Sequence, residues 1–231
     1  MNVRPAPGPD GKSGGSFQFF GRPNSYIEFP NRGKIDTKGS TTLLAWVYHE
    51  GRGGPIFNYK RNGWGVHFWM ISSRTIFVSF MRRTLTATKT LSSKAVAPMR
   101  WQFVGATYDR KTGIAKLFVN SRFTAMTYIG RFRLATNYPA RMGARIGDGR
   151  YFRGRISCMQ IYTKALTARQ ILRRKKRCLR KGTFALGVSE KMKFDVNEAL
   201  VNIVFTDLQM KYEYNYEYEL SLLSLRSRFE S

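Results

Sequence analysis

The side chains in this sequence best equipped for recognition chemistry are its arginines. Arg82 and Arg83, then Arg131, Arg133, Arg141, Arg145, Arg150, Arg153 and Arg155, crowd the middle of the chain. A second basic run, Arg173-Arg-Lys-Lys-Arg177, leads to Arg180-Lys181. A guanidinium is a planar fork of N–H donors that engages sulfate, phosphate or carboxylate in a bidentate way. Residues two apart on a strand share a face, so Arg131 with Arg133, and Arg153 with Arg155, are expected to point together. Such a patch suits sulfated glycosaminoglycan or another acidic matrix polymer; a scattered, solvated basic surface is the plain alternative. Trp64, set between Asn62-Gly63 and Gly65, sits beside a turn. Exposed there it would be a platform for a sugar ring, although a core role is the commoner fate of an indole.

The acidic side chains are as informative by their scarcity. Residues 1–181 hold 35 Lys+Arg against 6 Asp+Glu, a net +29, whereas residues 182–231 hold 5 against 8, a net −3. The six are Asp10, Glu28, Asp36, Glu50, Asp109 and Asp148. Glycoside hydrolysis needs two carboxylates flanking one bond, and none of these form a close alternating pair on one strand. There is no Gly-x-Ser-x-Gly elbow either, so no enzyme is expected. Two cysteines, Cys158 and Cys178, and two histidines, His49 and His67, are too few and too scattered for a zinc site. A single Cys158–Cys178 staple in an oxidising compartment is the expectation, with two buried free thiols as the alternative. A body this basic also attracts nucleic acid. Aromatics interleave with arginines at Tyr151-Phe-Arg153, and exposed rings stack bases, but the aromatics fall at strand positions and no nucleic-acid-binding signature appears. An intracellular or nucleic-acid-binding scaffold is therefore the second reading.

The elements that must carry these groups are short strands. Ser16–Phe20 and Ser25–Phe29 flank a turn-rich Gly21-Arg-Pro-Asn24. Thr42–Tyr48 is continuously apolar and reads as a central strand covered on both faces. Pro55–Tyr59, Gly65–Met70 and Thr75–Met81 follow. Arg100–Tyr108 and Ile114–Asn120 enclose Asp109-Arg-Lys-Thr-Gly113, a hairpin connection whose glycine is free to take positive φ. Arg155–Tyr162 closes the set, with Ile156, Cys158 and Gln160 alternating against Ser157, Met159 and Ile161. One helix is predicted, capped by Thr167, with Ala168, Ile171 and Leu172 as its apolar edge. Many short strands and a single helix indicate a sandwich or barrel. No apolar run approaches the roughly 20 residues needed to span a bilayer.

The order of motifs resembles the laminin-G/pentraxin-like domains of the concanavalin A-like lectin/glucanase superfamily. The resemblance rests on Tyr26-Ile-Glu-Phe29, Thr42-Leu-Leu-Ala-Trp-Val-Tyr48 and the Trp101–Asn120 hairpin. It is most specific at Arg145–Ile171, where Gly147-Asp-Gly149 leads through Phe152-x-Gly154 to the closing strand, the Ala165-Leu-Thr167 turn and the helix. It implies an all-β, antiparallel two-sheet jelly-roll sandwich with one short C-terminal helix. It also implies an extracellular binding or adhesion module and a disulfide matching Cys158 and Cys178. Calcium at loop ends is a further implication; Asp148 would be the ligand, with amide oxygens from Asn58 and Asn137. Calcium takes six to eight oxygens, and a single carboxylate between Arg145 and Arg150 argues instead for a turn cap or an arginine pair, so no cofactor is expected. The expected organisation is a Pro/Gly-rich linker over residues 1–15, the sandwich over 16–181 and an appended tail over 182–231. The first ten residues have no apolar signal core, which points to a piece of a longer secreted chain, with an intracellular protein as the alternative. In the tail, Lys211–Leu222 alternates apolar and acidic residues. A disordered appendage is expected there, a strand added to the sandwich or a pairing with the basic body being the alternatives.

Overall fold

The computed structural model describes residues 2–59, 66–86, 88–180 and 201–203. In chain order the strands are β1 Val3–Ala6, β2 Ser16–Phe20, β3 Ile27–Phe29, β4 Thr41–His49, β5 Gly54–Tyr59, β6 His67–Met70 and β7 Ile76–Ser79. They continue as β8 Leu91–Ser93, β9 Trp101–Asp109, β10 Ile114–Val119, β11 Arg122–Tyr128, β12 Ala140–Met142 and β13 Arg153–Tyr162; helix α1 is Ala168–Arg180 and β14 is Val201–Ile203. The larger sheet runs β1-β2-β13-β4-β9-β10-β11, with β14 beside β13, and the smaller runs β3-β12-β5-β6-β7-β8. The pairings are antiparallel. The chain is therefore a two-sheet antiparallel sandwich with one helix, the jelly-roll architecture its motif order implies.

The main core lies between the sheets and takes the inward residues of alternating strands. β4 contributes Leu43, Ala45 and Val47; β9 contributes Val104, Ala106 and Tyr108; β5 and β6 contribute Ile56, Phe57, Tyr59, Phe68 and Met70. Burying one such side chain fully is worth about 1.5–3 kcal/mol. β4 is buried along almost its whole length because its other face is covered too. There Leu44, Trp46, Phe103, Phe118, Cys158 and Tyr162 form a second cluster beneath Leu166 and Ile171. α1 starts as predicted, by reciprocal capping: the Gln170 amide donates to Thr167 Oγ1 (3.3 Å), and the Thr167 amide donates to Gln170 Oε1 (2.9 Å).

Three elements depart from the sequence reading. β1 falls within residues 1–15, where Pro and Gly pointed to a linker; Pro5 is tolerated because β1 is an edge strand, paired only with β2. In β13 the register shifts between Ser157 and Gln160, and Cys158 sits at φ 49°. This bulge flips the face parity, so Ile156 joins Met159 and Ile161 in the main core while Cys158 joins the helix-side cluster. Arg131 and Arg133 lie in the irregular connection between β11 and β12 rather than on a strand, so period-two sharing of a face does not apply to them. The basis of that expectation is lost because β11 ends at Tyr128 and Gly130 turns at φ 96°. Beyond Lys181 only β14 is described, pairing with β13 at Met159–Ile161; the Lys211–Leu222 run lies outside the described residues, as does Trp64.

Candidate functional site

Strand pairing sets a lateral row on the outer face of the smaller sheet. Glu28 on β3 faces Arg141 on β12, which faces Asn58 on β5, then His67 on β6 and Ser79 on β7. One pleat along, Trp69 follows His67 on the same face, and their rings stack at 5.7 Å with 19° between planes. His67 and Trp69 alternate with the core residues Phe68 and Met70; that parity was the one sequence signal that would have found them.

The connection from β12 to β13 then folds over this face. Gly143 and Gly147, at φ 90° and 67°, turn it, and Phe152 anchors its far end edge-on to Phe19 at 6.0 Å. It delivers two guanidiniums over the Trp69 ring, Arg150 at 4.5 Å and Arg145 at 5.3 Å. Asp148 holds both. Arg150 donates to it through Nε (2.9 Å) and Nη2 (2.7 Å) and through its backbone N–H (2.9 Å), and Arg145 Nη2 lies 3.0 Å away. Hydrogen bonds from the Arg150 side chain, working against burial and helped by the Arg150 backbone and the two positive charges, hold the Asp148 carboxyl down at about 2. Arg145 Nη1 also points at His67 Nδ1, 3.4 Å away. Beside them Arg141 pairs with Glu28 and its guanidinium lies over Tyr26, 4.0 Å from the ring centroid. Arg150 keeps 60% of its side chain exposed, against 16% for Arg145.

The predicted patch is thus divided. Arg141, Arg145 and Arg150 share the outer face of the smaller sheet, whereas Arg153 and Arg155 open β13 in the larger sheet, and Arg131 and Arg133 are exposed on the β11–β12 connection. Arg83, from the same run of basic residues, is committed to Asp36, with Nη2 2.6 Å from both carboxylate oxygens.

Of the three groups considered as calcium ligands, Asp148 is occupied by the two arginines, and the Asn58 Oδ1 accepts from Trp69 Nε1 at 3.2 Å. Asn137 is exposed on the β11–β12 connection. Among the described residues no group of three His, Cys, Asp or Glu is placed to hold a metal ion. The remaining carboxylates are also engaged locally: Asp10 with Lys12, Glu50 with Arg153 and Gln18, and Asp109 with Ser40 and Thr112.

The fold has relatives among solved structures. The botulinum neurotoxin type G receptor binding domain superposes with a TM-score of 0.59 at 16% identity over 77% of this chain; the chain spans only 45% of that domain. The CBM40 of the Ruminococcus gnavus IT-sialidase, bound to alpha2,3 sialyllactose, gives 0.58 at 14% identity, covering 68% of this chain and 95% of that one. A heptameric SAP-like pentraxin from Limulus polyphemus gives 0.52 at 17% identity, covering 67% and 78%. At these identities the likeness is one of fold. No curated protein matches in sequence. A family profile of laminin-G type does match, over residues 20–172, and by it the chain belongs to the concanavalin A-like lectin/glucanase superfamily.

Proposed function

We propose that this chain is a non-catalytic extracellular binding module that recognises acidic, sulfated glycans, or acidic matrix proteins, through its arginine-rich surface. The observation that carries the reading is the convergence of Arg141, Arg145 and Arg150 on one sheet face, each with its guanidinium over the ring of Tyr26 or Trp69. A guanidinium fixed over a ring loses little further freedom when it meets an anion, and Arg150, 60% exposed, is the member of the three most open to one. One structural relative is a carbohydrate-binding module holding alpha2,3 sialyllactose, which favours a glycan over a peptide ligand.

An extracellular setting accords with the family and with a staple between Cys158 and Cys178. Cys158 is buried beneath α1, the helix that carries Cys178. The Cys178 side chain is outside the described residues, and thiol titration of the unfolded, unreduced chain reads the pairing directly. The proposed organisation keeps the sandwich over residues 16–181 and an appended segment over 182–231, while residues 1–15, expected as a linker, add the edge strand β1 to it.

The test is elution from immobilised heparin against a neutral control of the same fold, repeated with Arg141→Ala/Arg150→Ala. The expected result is retention to clearly higher salt than the control, reduced in the double variant. Elution with the control overturns the reading. Tighter binding to an oligonucleotide than to heparin at matched ionic strength moves it to the nucleic-acid alternative.

A further inference from the structure

The larger sheet carries a second row of the same chemistry on the opposite side of the molecule. Register places Arg4 on β1 opposite Gln18 on β2, Gln18 opposite Arg155 on β13, Arg155 opposite Tyr48 on β4, and Tyr48 opposite Trp101 on β9. All five point away from the main core, because Val3, Phe17, Val47, Val104 and Ile156, of opposite parity on the same strands, pack into or against it. At about 4.8 Å per strand the row extends for roughly 19 Å.

Its centre is Arg155, whose guanidinium lies 4.1 Å from the Tyr48 centroid and 5.4 Å from that of Trp101, rings themselves 5.7 Å apart. One of its N–H groups reaches the Pro7 carbonyl at 3.3 Å; a guanidinium has five donors. Arg4, exposed, lies over Phe20, and Arg153 adds a third cation that is 55% exposed. The row's one carboxylate, Glu50, is taken by Gln18 and Arg153. Its sides are built: Ser157 Oγ ties the loop before β2 down through the Gly15 carbonyl (2.6 Å), and α1 covers the adjoining Trp46, with Lys175 5.1 Å from that ring. Cations on aromatic rings, an amide between them and a length of several sugar units match a linear sulfated polysaccharide.

We propose that this band is a second, independent binding site for a sulfated linear polysaccharide, making the module bivalent. The proposal rests on the glycan reading above and extends it: the sites sit on the two outer faces of a sandwich whose sheets are about 10 Å apart, so one short oligosaccharide cannot occupy both. Long chains would be cross-linked.

The experiment is calorimetric titration of the full chain with a heparin-derived hexasaccharide, with light scattering in long-chain heparin. Wild type is expected to bind two hexasaccharides. Arg4→Ala/Arg155→Ala and Arg141→Ala/Arg150→Ala should each bind one, and both should lose heparin-induced clustering. Thermal melting checks that each variant is folded. Arg155→Lys keeps the charge but not the stacked fork, and should weaken the band site about tenfold while the stoichiometry at high ligand stays at two. One hexasaccharide per wild-type chain, unaffected by Arg4→Ala/Arg155→Ala, overturns the band and leaves the smaller-sheet reading standing. One hexasaccharide lost only with Arg4→Ala/Arg155→Ala overturns the smaller-sheet site and bivalency together. Absence of binding by wild type overturns both.

Discussion

Gly154 concentrates the constraints on the closing strand. Its φ is +137°, and a Cβ there would lie 2.1 Å from the Tyr48 carbonyl oxygen and 2.8 Å from the Cα of His49. Both atoms belong to the backbone of the central strand β4, so nothing flexible can yield. Gly154→Ala should cost about 2–4 kcal/mol, from positive φ plus a backbone clash. Gly149, with open space where its Cβ would point, should accept alanine at close to no cost. Denaturant unfolding of the two variants checks this; equal destabilisation would show that glycine content of the connection matters rather than the approach of β13 to β4. The Phe152-x-Gly154 motif stood out in the sequence, but its physical reason is contact with residues a hundred positions earlier.

At the scale of elements, the β12–β13 connection is held to the smaller sheet by a charge cluster. Asp148, with its carboxyl at about 2 against an ordinary 3.8, binds Arg145 and Arg150 and so keeps both over Trp69. A carboxyl depressed by folding contributes stability that is complete above its unfolded value and lost as pH falls through the folded one. The contribution of Asp148 should therefore be present above about pH 4 and disappear towards about pH 2. Melting temperatures of wild type and Asp148→Asn should differ at pH 5 and converge over that interval; a constant gap would contradict the ion-pair role. Burial lowers the His49 pKa from its ordinary 6.5, but His49 is common to both proteins and drops out of their difference. The elements themselves were largely legible: β2, β4, β9, β10 and β13 follow the alternation or apolar runs of the sequence, and α1 its cap. β8 and β12 were missed because three residues are too few to display a period, and β11 because its outer face keeps Phe123, Met126 and Tyr128 exposed, which blurs the alternation.

At the scale of the whole molecule, the decisive quantity is the net charge of +26. Self-repulsion of this size opposes the compact state and is screened over about 10 Å at 0.1 M salt. The described carboxylates are already drawn into local pairs, most of them with arginine, so added salt should relieve more repulsion than it weakens attraction. The melting temperature should rise between about 20 mM and 300 mM NaCl at pH 7; a fall would mean that the ion pairs outweigh the repulsion. The sequence by itself determined the sandwich, because period two, turn residues and strand lengths are local properties. It also determined the excess of arginine and the poverty of carboxylate. Which arginines act together was decided only by the tertiary structure. Arg153 and Arg155 are a few residues from Arg150 in the chain, yet the turn of the connection and the entry into β13 put them on the other face of the molecule. Arg4, Gln18, Tyr48 and Trp101 come beside Arg155 only through the pairing of strands distant in sequence. A face shared across strands is set by register, and register in a jelly roll is a long-range property.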